Sequence, residues 1–341
     1  MNLKLEYHDG KYIDVDLDQF LYFTGPNKKL LWQVFRSFYY YQQKVREDLA
    51  NIYGDNGIEI YLNQEKLVSA HNHFYFINSR NAIYQQLKYQ KASLLFNFLN
   101  QQSNEPDIVQ HIERLNNELY QLTFVLQDYV DSFANSLQVD LEDLNYLQLL
   151  KDHLTLGYQE DQQMTPLELM STDELVDEYV NLLRLFAQDN SDNCWLILYN
   201  LPSYLSQSKI HELLQGLKEI TQTTNLKVIY IANDLKAVNL TQEDIENIVL
   251  VHDQAEQLPN YDTLHETLAQ HYPNEMKITD CRLLSILQNI LPLVGYPKKV
   301  DLAPQDLILL KVMNELSGYE TSFNSDDFSL TSAEISFLKR D

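Results

Sequence analysis

The stretch "CWLILYN" at residues 194–200 has no charged or amide side chain between Cys194 and Tyr199. A strand with one face in water alternates polar and apolar residues, whereas a strand covered on both faces does not. The stretch therefore reads as a central strand of a parallel sheet. "LKVIYIAND" (226–234) and "NIVLVHD" (247–253) read as two more buried strands, and "FLYFTG" (20–25) as a fourth. Parallel neighbours need crossover connections. A helix over about Ser206–Thr223, opened by Ser206, supplies one of them. The fold class is α/β.

The rest of the chain fits around that sheet. "LKLEYH" and "KYIDVDLD" alternate and meet at Asp9-Gly10, a hairpin turn. "GIEIYLN" and "HFYFIN" are further strands. A helix is expected from about Lys28 to Tyr53, with Trp32, Phe35, Phe38 or Tyr39, and Val45 on one face. From about Ser79 to Gln188 nothing reads as strand. That segment is helical, with breaks at 100–107 and 157–166. Thr165-Pro166 opens one helix and "STDEL" at 171–175 another. Residues beyond about 261 are helical again. The expected domains are a discontinuous head (1–79 and 189–260), a helical domain (80–188) and a helical C-terminal domain (261–341).

Charge adds a constraint on partners. The net charge is -24, with 49 acidic against 25 basic residues. Such a chain should repel a polyanion, but the charges are segregated. Residues 19–46 hold no acid and carry Lys28, Lys29, Arg36, Lys44 and Arg46. Residues 66–104 also hold none and carry Lys66, Arg80, Lys88 and Lys91. This distribution allows one positive face on an acidic body. Cys194 and Cys281 are expected to be buried free thiols in a reducing compartment. The N-terminus lacks a leader pattern, and no apolar run reaches membrane-spanning length. The expected location is cytoplasmic, without membrane contact.

"FLYFTGPNKKLLW" has the strand-turn-helix order of a phosphate-binding loop. In that loop Gly, Lys and Ser or Thr cradle phosphates and hold magnesium. Here Leu30, Leu31 and Trp32 stand in those places. In "LILYNLPSYLS", Asn200 and Leu201 replace the two carboxylates that would close an apolar strand in an ATPase. "VIYIANDL" keeps Asp234 but has Ala232-Asn233 before it. Together this layout is similar to an ABC/SMC-type P-loop head, degenerate at its catalytic positions, with an inserted helical leg and a helical C-terminal extension.

More narrowly, the chain resembles the Csn-two family, accessory adaptation proteins of type II-A CRISPR systems, in its long form. The resemblance implies a non-catalytic homotetrameric ring that binds ends of double-stranded DNA without sequence specificity during spacer acquisition. It further implies calcium, no ATP, and work beside the CRISPR integrase and the RNA-guided nuclease. Candidate DNA contacts are Lys28, Lys29, Arg36, Arg80, Lys88 and Lys91, since lysine and arginine supply salt-sensitive phosphate contacts. Candidate calcium carboxylates are Asp128, Asp131, Asp140, Glu142 and Asp143.

No residue is assigned a catalytic role. "HNH" at 71–73 lacks the extended metal motif of a nuclease, and Asp14, Asp16 and Asp18 read as a solvent face. Two alternatives remain open at this level: an SMC/RecF-like ATPase with altered motifs, and a helical protein-interaction scaffold.

Overall fold

The computed structural model describes residues 1–41, 47–54, 57–68, 71–160, 163–189, 193–296, 300–323 and 330–340. Two compact units emerge: residues 1–79 with 187–341, and residues 80–186.

The first unit starts with β1 (Asn2–His8) and β2 (Lys11–Asp16), paired antiparallel around Asp9-Gly10. Gly10 takes φ +65°, a conformation that glycine adopts without steric cost. Leu3, Leu5, Ile13 and Val15 turn inward, and Asp14 and Asp16 outward, as the alternation requires. Then follow β3 (Phe20–Thr24), α1 (Lys28–Tyr41), α2 (Glu47–Tyr53), β4 (Ile60–Leu62), β5 (Glu65–Lys66) and β6 (Asn72–Ile77). Strands β2-β1-β4-β5 form one sheet.

The expected inward face of α1 is corrected. Leu30, Leu31, Val34, Phe35 and Phe38 are buried, while Trp32 and Tyr39 are 44% and 38% exposed. Two leucines before the tryptophan turn the buried stripe by about one residue, and aromatic bulk alone does not choose the face. Val45, Lys44 and Arg46 lie outside the described residues.

The second unit holds α3 (Arg80–Gln86), α4 (Leu94–Gln101), α5 (Pro106–Asp131), α6 (Tyr146–His153), β7 (Gly157–Glu160), β8 (Gln163–Pro166) and the start of α7 (Thr172–Asp189). The hairpin β7-β8 overturns the expectation of an all-helical segment. Its strands are short and polar, so they carry no hydrophobic alternation. Gly157 permits the pairing, because a Cβ there would lie 2.6 Å from the Thr165 carbonyl oxygen. Thr165-Pro166 therefore ends a strand and leads into a 3-10 turn at Leu167–Leu169. Ser171 does cap α7: its hydroxyl accepts from the Glu174 amide at 3.2 Å, and Glu174 accepts from the Ser171 amide at 2.8 Å.

The first unit resumes with β9 (Asn193–Tyr199), α8 (Gln207–Thr221), β10 (Leu226–Ile231), β11 (Ile248–Val251) and β12 (Ala255–Gln257). Helices α9 (Tyr261–His271), α10 (Asp280–Ile290), α11 (Pro304–Leu316) and α12 (Ser332–Lys339) follow. The large sheet runs β12-β11-β3-β10-β9-β6, parallel throughout except for β12. Period two sorts its side chains. Leu21, Phe23, Trp195, Ile197, Ile229, Ile231, Val249 and Val251 share a core with α1 and the small sheet. Tyr22, Leu196, Leu198, Val228 and Tyr230 are buried on the other face, the side of α8. Each large apolar side chain so buried stabilises the fold by about 1.5–3 kcal/mol before entropy is counted. The helices after 261 are tied back by Gln288, which donates to the carbonyls of Leu235 (2.9 Å) and Lys236 (3.0 Å).

Cys194 is buried in β9, where desolvation pushes its thiol up to about 12. Cys281 is exposed, which corrects the expectation of two buried thiols. It sits in the first turn of α10, where Leu283, Ile286, Leu287 and Ile290 supply the buried face. Among the described residues no helix is long and apolar enough to cross a membrane.

Candidate nucleic-acid interface

The turn between β3 and α1 is held by the end of β11. Gly25 has φ +149°, and a Cβ there would lie 2.2 Å from the Val251 carbonyl oxygen. The Asn27 amide donates to that same oxygen at 3.2 Å. Its side-chain amide donates to the His252 carbonyl at 2.6 Å, and its side-chain oxygen accepts from the Leu30 amide at 3.0 Å. The Leu31 amide donates to the Asn27 carbonyl at 3.0 Å. The amides of Asn27, Leu30 and Leu31 are therefore bonded to the protein's own oxygens.

The ends of the neighbouring strands are closed in a similar way. Asn200 adopts φ +54°, and its amide donates to the Ile231 carbonyl at 3.1 Å. Leu201 is fully buried. Asp234 accepts from the Lys236 amide at 3.1 Å, making a local turn. Around Tyr199 the structure assembles an aromatic cluster. Phe35 stacks on Tyr199 at 4.6 Å between ring centroids, Trp32 meets Tyr199 edge-on at 5.7 Å, and Tyr39 meets Phe76 at 5.2 Å. Sequence reasoning missed this cluster, since its members come from α1, β6 and β9.

The candidate basic residues divide by what they touch. Lys28 and Lys29 are exposed at the start of α1. The β1-β2 turn brings Lys11, which sequence reasoning missed, and His8 beside Lys29, around a depression of about 340 Å³ that Asp253 also lines. Arg36 is engaged inside the unit: Nε donates to the Tyr53 hydroxyl at 2.9 Å, and the guanidinium lies 5.3 Å from that ring's centroid. Arg80 donates to the carbonyls of Glu168 (2.8 Å) and Met170 (2.6 Å). Lys88 lies 3.6 Å from the Glu168 carboxylate and 4.3 Å from the Tyr84 ring centroid. Lys91 is exposed in the turn before α4. Arg36 and Arg80 thus have structural partners that an extended sequence does not show.

The candidate calcium carboxylates lie on α5 and on the segment after it. That segment is pinned to the helix by two side-chain amides. Asn116 accepts from the Leu144 amide at 2.7 Å, and Gln127 accepts from the Val139 amide at 2.8 Å. Gln127 also donates to Asp131 at 2.6 Å. Asp128, Asp131, Asp140, Glu142 and Asp143 are all exposed. Among the described residues no three His, Cys, Asp or Glu side chains converge into a metal-holding group. The five carboxylates of one chain therefore do not fit a calcium cage, which needs several oxygens at once.

Fold and surface define a class: a mixed α/β protein with a second unit inserted between its strands, and lysines exposed beside the β3-α1 turn. The family "CRISPR-associated protein Csn2 subfamily St" matches residues 10–326, and the chain belongs to it. The structure is similar to the crystal structure of Stu0660 of Streptococcus thermophilus, with a TM-score of 0.85 at 17% identity over 96% of each chain. Among curated proteins none matches the chain.

Proposed function

We propose that this chain is a non-catalytic, ring-forming protein that binds ends of double-stranded DNA without sequence specificity and supports spacer acquisition in type II-A CRISPR immunity. The observation that carries the reading is membership of the Csn2 family across residues 10–326. In this reading residues 1–79 and 189–260 form a degenerate P-loop-like head, 80–188 a helical leg and 261–341 a C-terminal extension. Four copies close a ring in the cytoplasm, working beside the integrase and the RNA-guided nuclease. Lys28, Lys29 and Lys11, and in the second unit Lys88 and Lys91, supply phosphate contacts, while the acidic remainder of the chain repels DNA elsewhere.

A non-catalytic role is supported by the side chains in the altered motif. Leu31 and Trp32 have no ammonium or hydroxyl to place on a nucleotide, and Leu201 is buried where an ATPase needs a carboxylate. No role is derived for calcium, because the carboxylates of one chain do not gather into a site for it.

The test is a paired gel shift of a blunt linear duplex and the same DNA as a closed circle, each with and without calcium. Retention of the linear form alone, weakening steeply with salt, is the expected result. Equal retention of both forms would end the end-binding reading, and retention of neither would end the DNA reading.

A further inference from the structure

Trp32 stands on the same helix as Lys28 and Lys29 and reaches solvent. Its neighbours on α1, Leu31, Val34 and Phe35, are buried, whereas Trp32 is 44% exposed. It is nevertheless not a loose side chain. Phe35 lies 5.4 Å and Tyr199 5.7 Å from its ring centroid, and Phe35 and Tyr199 are stacked on each other. An aromatic ring backed by two others presents a stiff apolar face, with little rotamer freedom left to lose on binding.

The charge around it selects the ligand. Lys29 and Lys28 precede Trp32 by three and four residues on the same helix, so both project from its side of α1. No acidic residue occurs between residues 19 and 46. An exposed ring with lysines one turn away is the pairing that stacks a base while holding its phosphate. Inside a duplex each base face is covered by the next pair. Only the terminal pair, or a base frayed from it, offers an open face.

We propose that Trp32 is a stacking platform for the terminal base of a DNA end, with Lys28 and Lys29 on the adjoining phosphates. This rests on the DNA-end reading above and names the side chain that would distinguish an end from the duplex interior.

Intrinsic fluorescence tests it on the intact protein. The chain has two tryptophans, and Trp195 is fully buried in β9 with its indole N–H donated to Asn72 at 3.0 Å. Changes in quenching by acrylamide therefore report Trp32. A blunt linear duplex is expected to quench Trp32 and shield it from acrylamide, and a closed circle is not. Trp32→Ala is expected to weaken linear-duplex binding roughly tenfold, and Trp32→Phe, which keeps a ring, to weaken it less. If the linear duplex binds while Trp32 emission and the affinity of Trp32→Ala stay unchanged, the inference fails and the end-binding reading stands. If no DNA binds the wild-type protein, the end-binding reading fails and the inference with it. If Trp32→Ala breaks the assembly into smaller species by sedimentation, Trp32 is a subunit contact and the inference is overturned.

Discussion

The side-chain amide of Asn27 donates to the backbone carbonyl of His252 at 2.6 Å, joining the start of α1 to the end of β11. The same side chain caps the helix through the Leu30 amide. Asn27→Ala removes both bonds and is expected to lower stability by about 1–2 kcal/mol, read as a shift of the urea midpoint at unchanged slope. Gly25→Ala is expected to cost more, because its Cβ would meet the Val251 carbonyl oxygen at 2.2 Å and the backbone would have to move. A Gly25→Ala protein as stable as the wild type would contradict this packing.

Arginine and lysine on α1 should separate into two phenotypes. Arg36→Ala loses the bond to Tyr53 and the ring contact, and is expected to cost about 1–2 kcal/mol of stability. Lys28→Glu with Lys29→Glu should leave the melting temperature nearly unchanged. On the proposed function it should also weaken DNA binding and flatten its dependence on log salt by about two. Thermal melts and salt titrations of both variants make the comparison.

Only one of the two cysteines should react in the native state. Burial holds the Cys194 thiol protonated at neutral pH, while Cys281 is exposed. A thiol reagent followed by peptide mapping is expected to label Cys281 within minutes and Cys194 only after denaturation. Fast native labelling of Cys194 would contradict its position in β9.

The small sheet carries an acid-sensitive contact. The Glu59 carboxylate accepts from Lys66 at 2.9 Å, from the Tyr61 hydroxyl at 2.8 Å and from the Tyr12 hydroxyl at 3.2 Å. These bonds, Lys66 foremost, hold its carboxyl below the ordinary carboxylate range. A carboxyl whose pKa is lower folded than unfolded stabilises fully above the unfolded value, and that stabilisation is lost as pH falls through the folded one. Glu59→Gln is therefore expected to be less stable at neutral pH, by no more than about 1 kcal/mol at this solvent-screened site. The two proteins should converge as pH drops below about 4. Urea unfolding at a series of pH values reads the convergence, and parallel curves would show that Glu59 is not the titrating group.

Some of the fold is legible one segment at a time. The apolar runs at 20–23, 194–199, 228–231 and 248–251 lie in strands of one sheet, because burial on both faces leaves no room for alternation. Asp9-Gly10, Ser171 and Ser206 mark a turn and two helix starts through bonds made within a few residues. The hairpin β7-β8 is not legible in this way. Its strands are polar, and what permits them to pair is the missing Cβ at Gly157, beside the Thr165 carbonyl oxygen. Trp32 likewise reads as a core residue until Leu30, Leu31, Val34 and Phe35 take the buried face of α1.

By itself the sequence determined the α/β class, the order of buried strands and helices, and the presence after Gly25 of Leu30, Leu31 and Trp32, which lack the chemistry of a phosphate loop. These follow from periodicity and from chemistry that a residue either possesses or lacks. Tertiary structure alone decided that Arg36 and Arg80 hold the protein's own oxygens, that Lys11 stands beside Lys29, and that Trp32, Phe35 and Tyr199 share one surface. Those relationships depend on distances between residues far apart in the chain, and a local pattern carries no information about such distances until the core has packed.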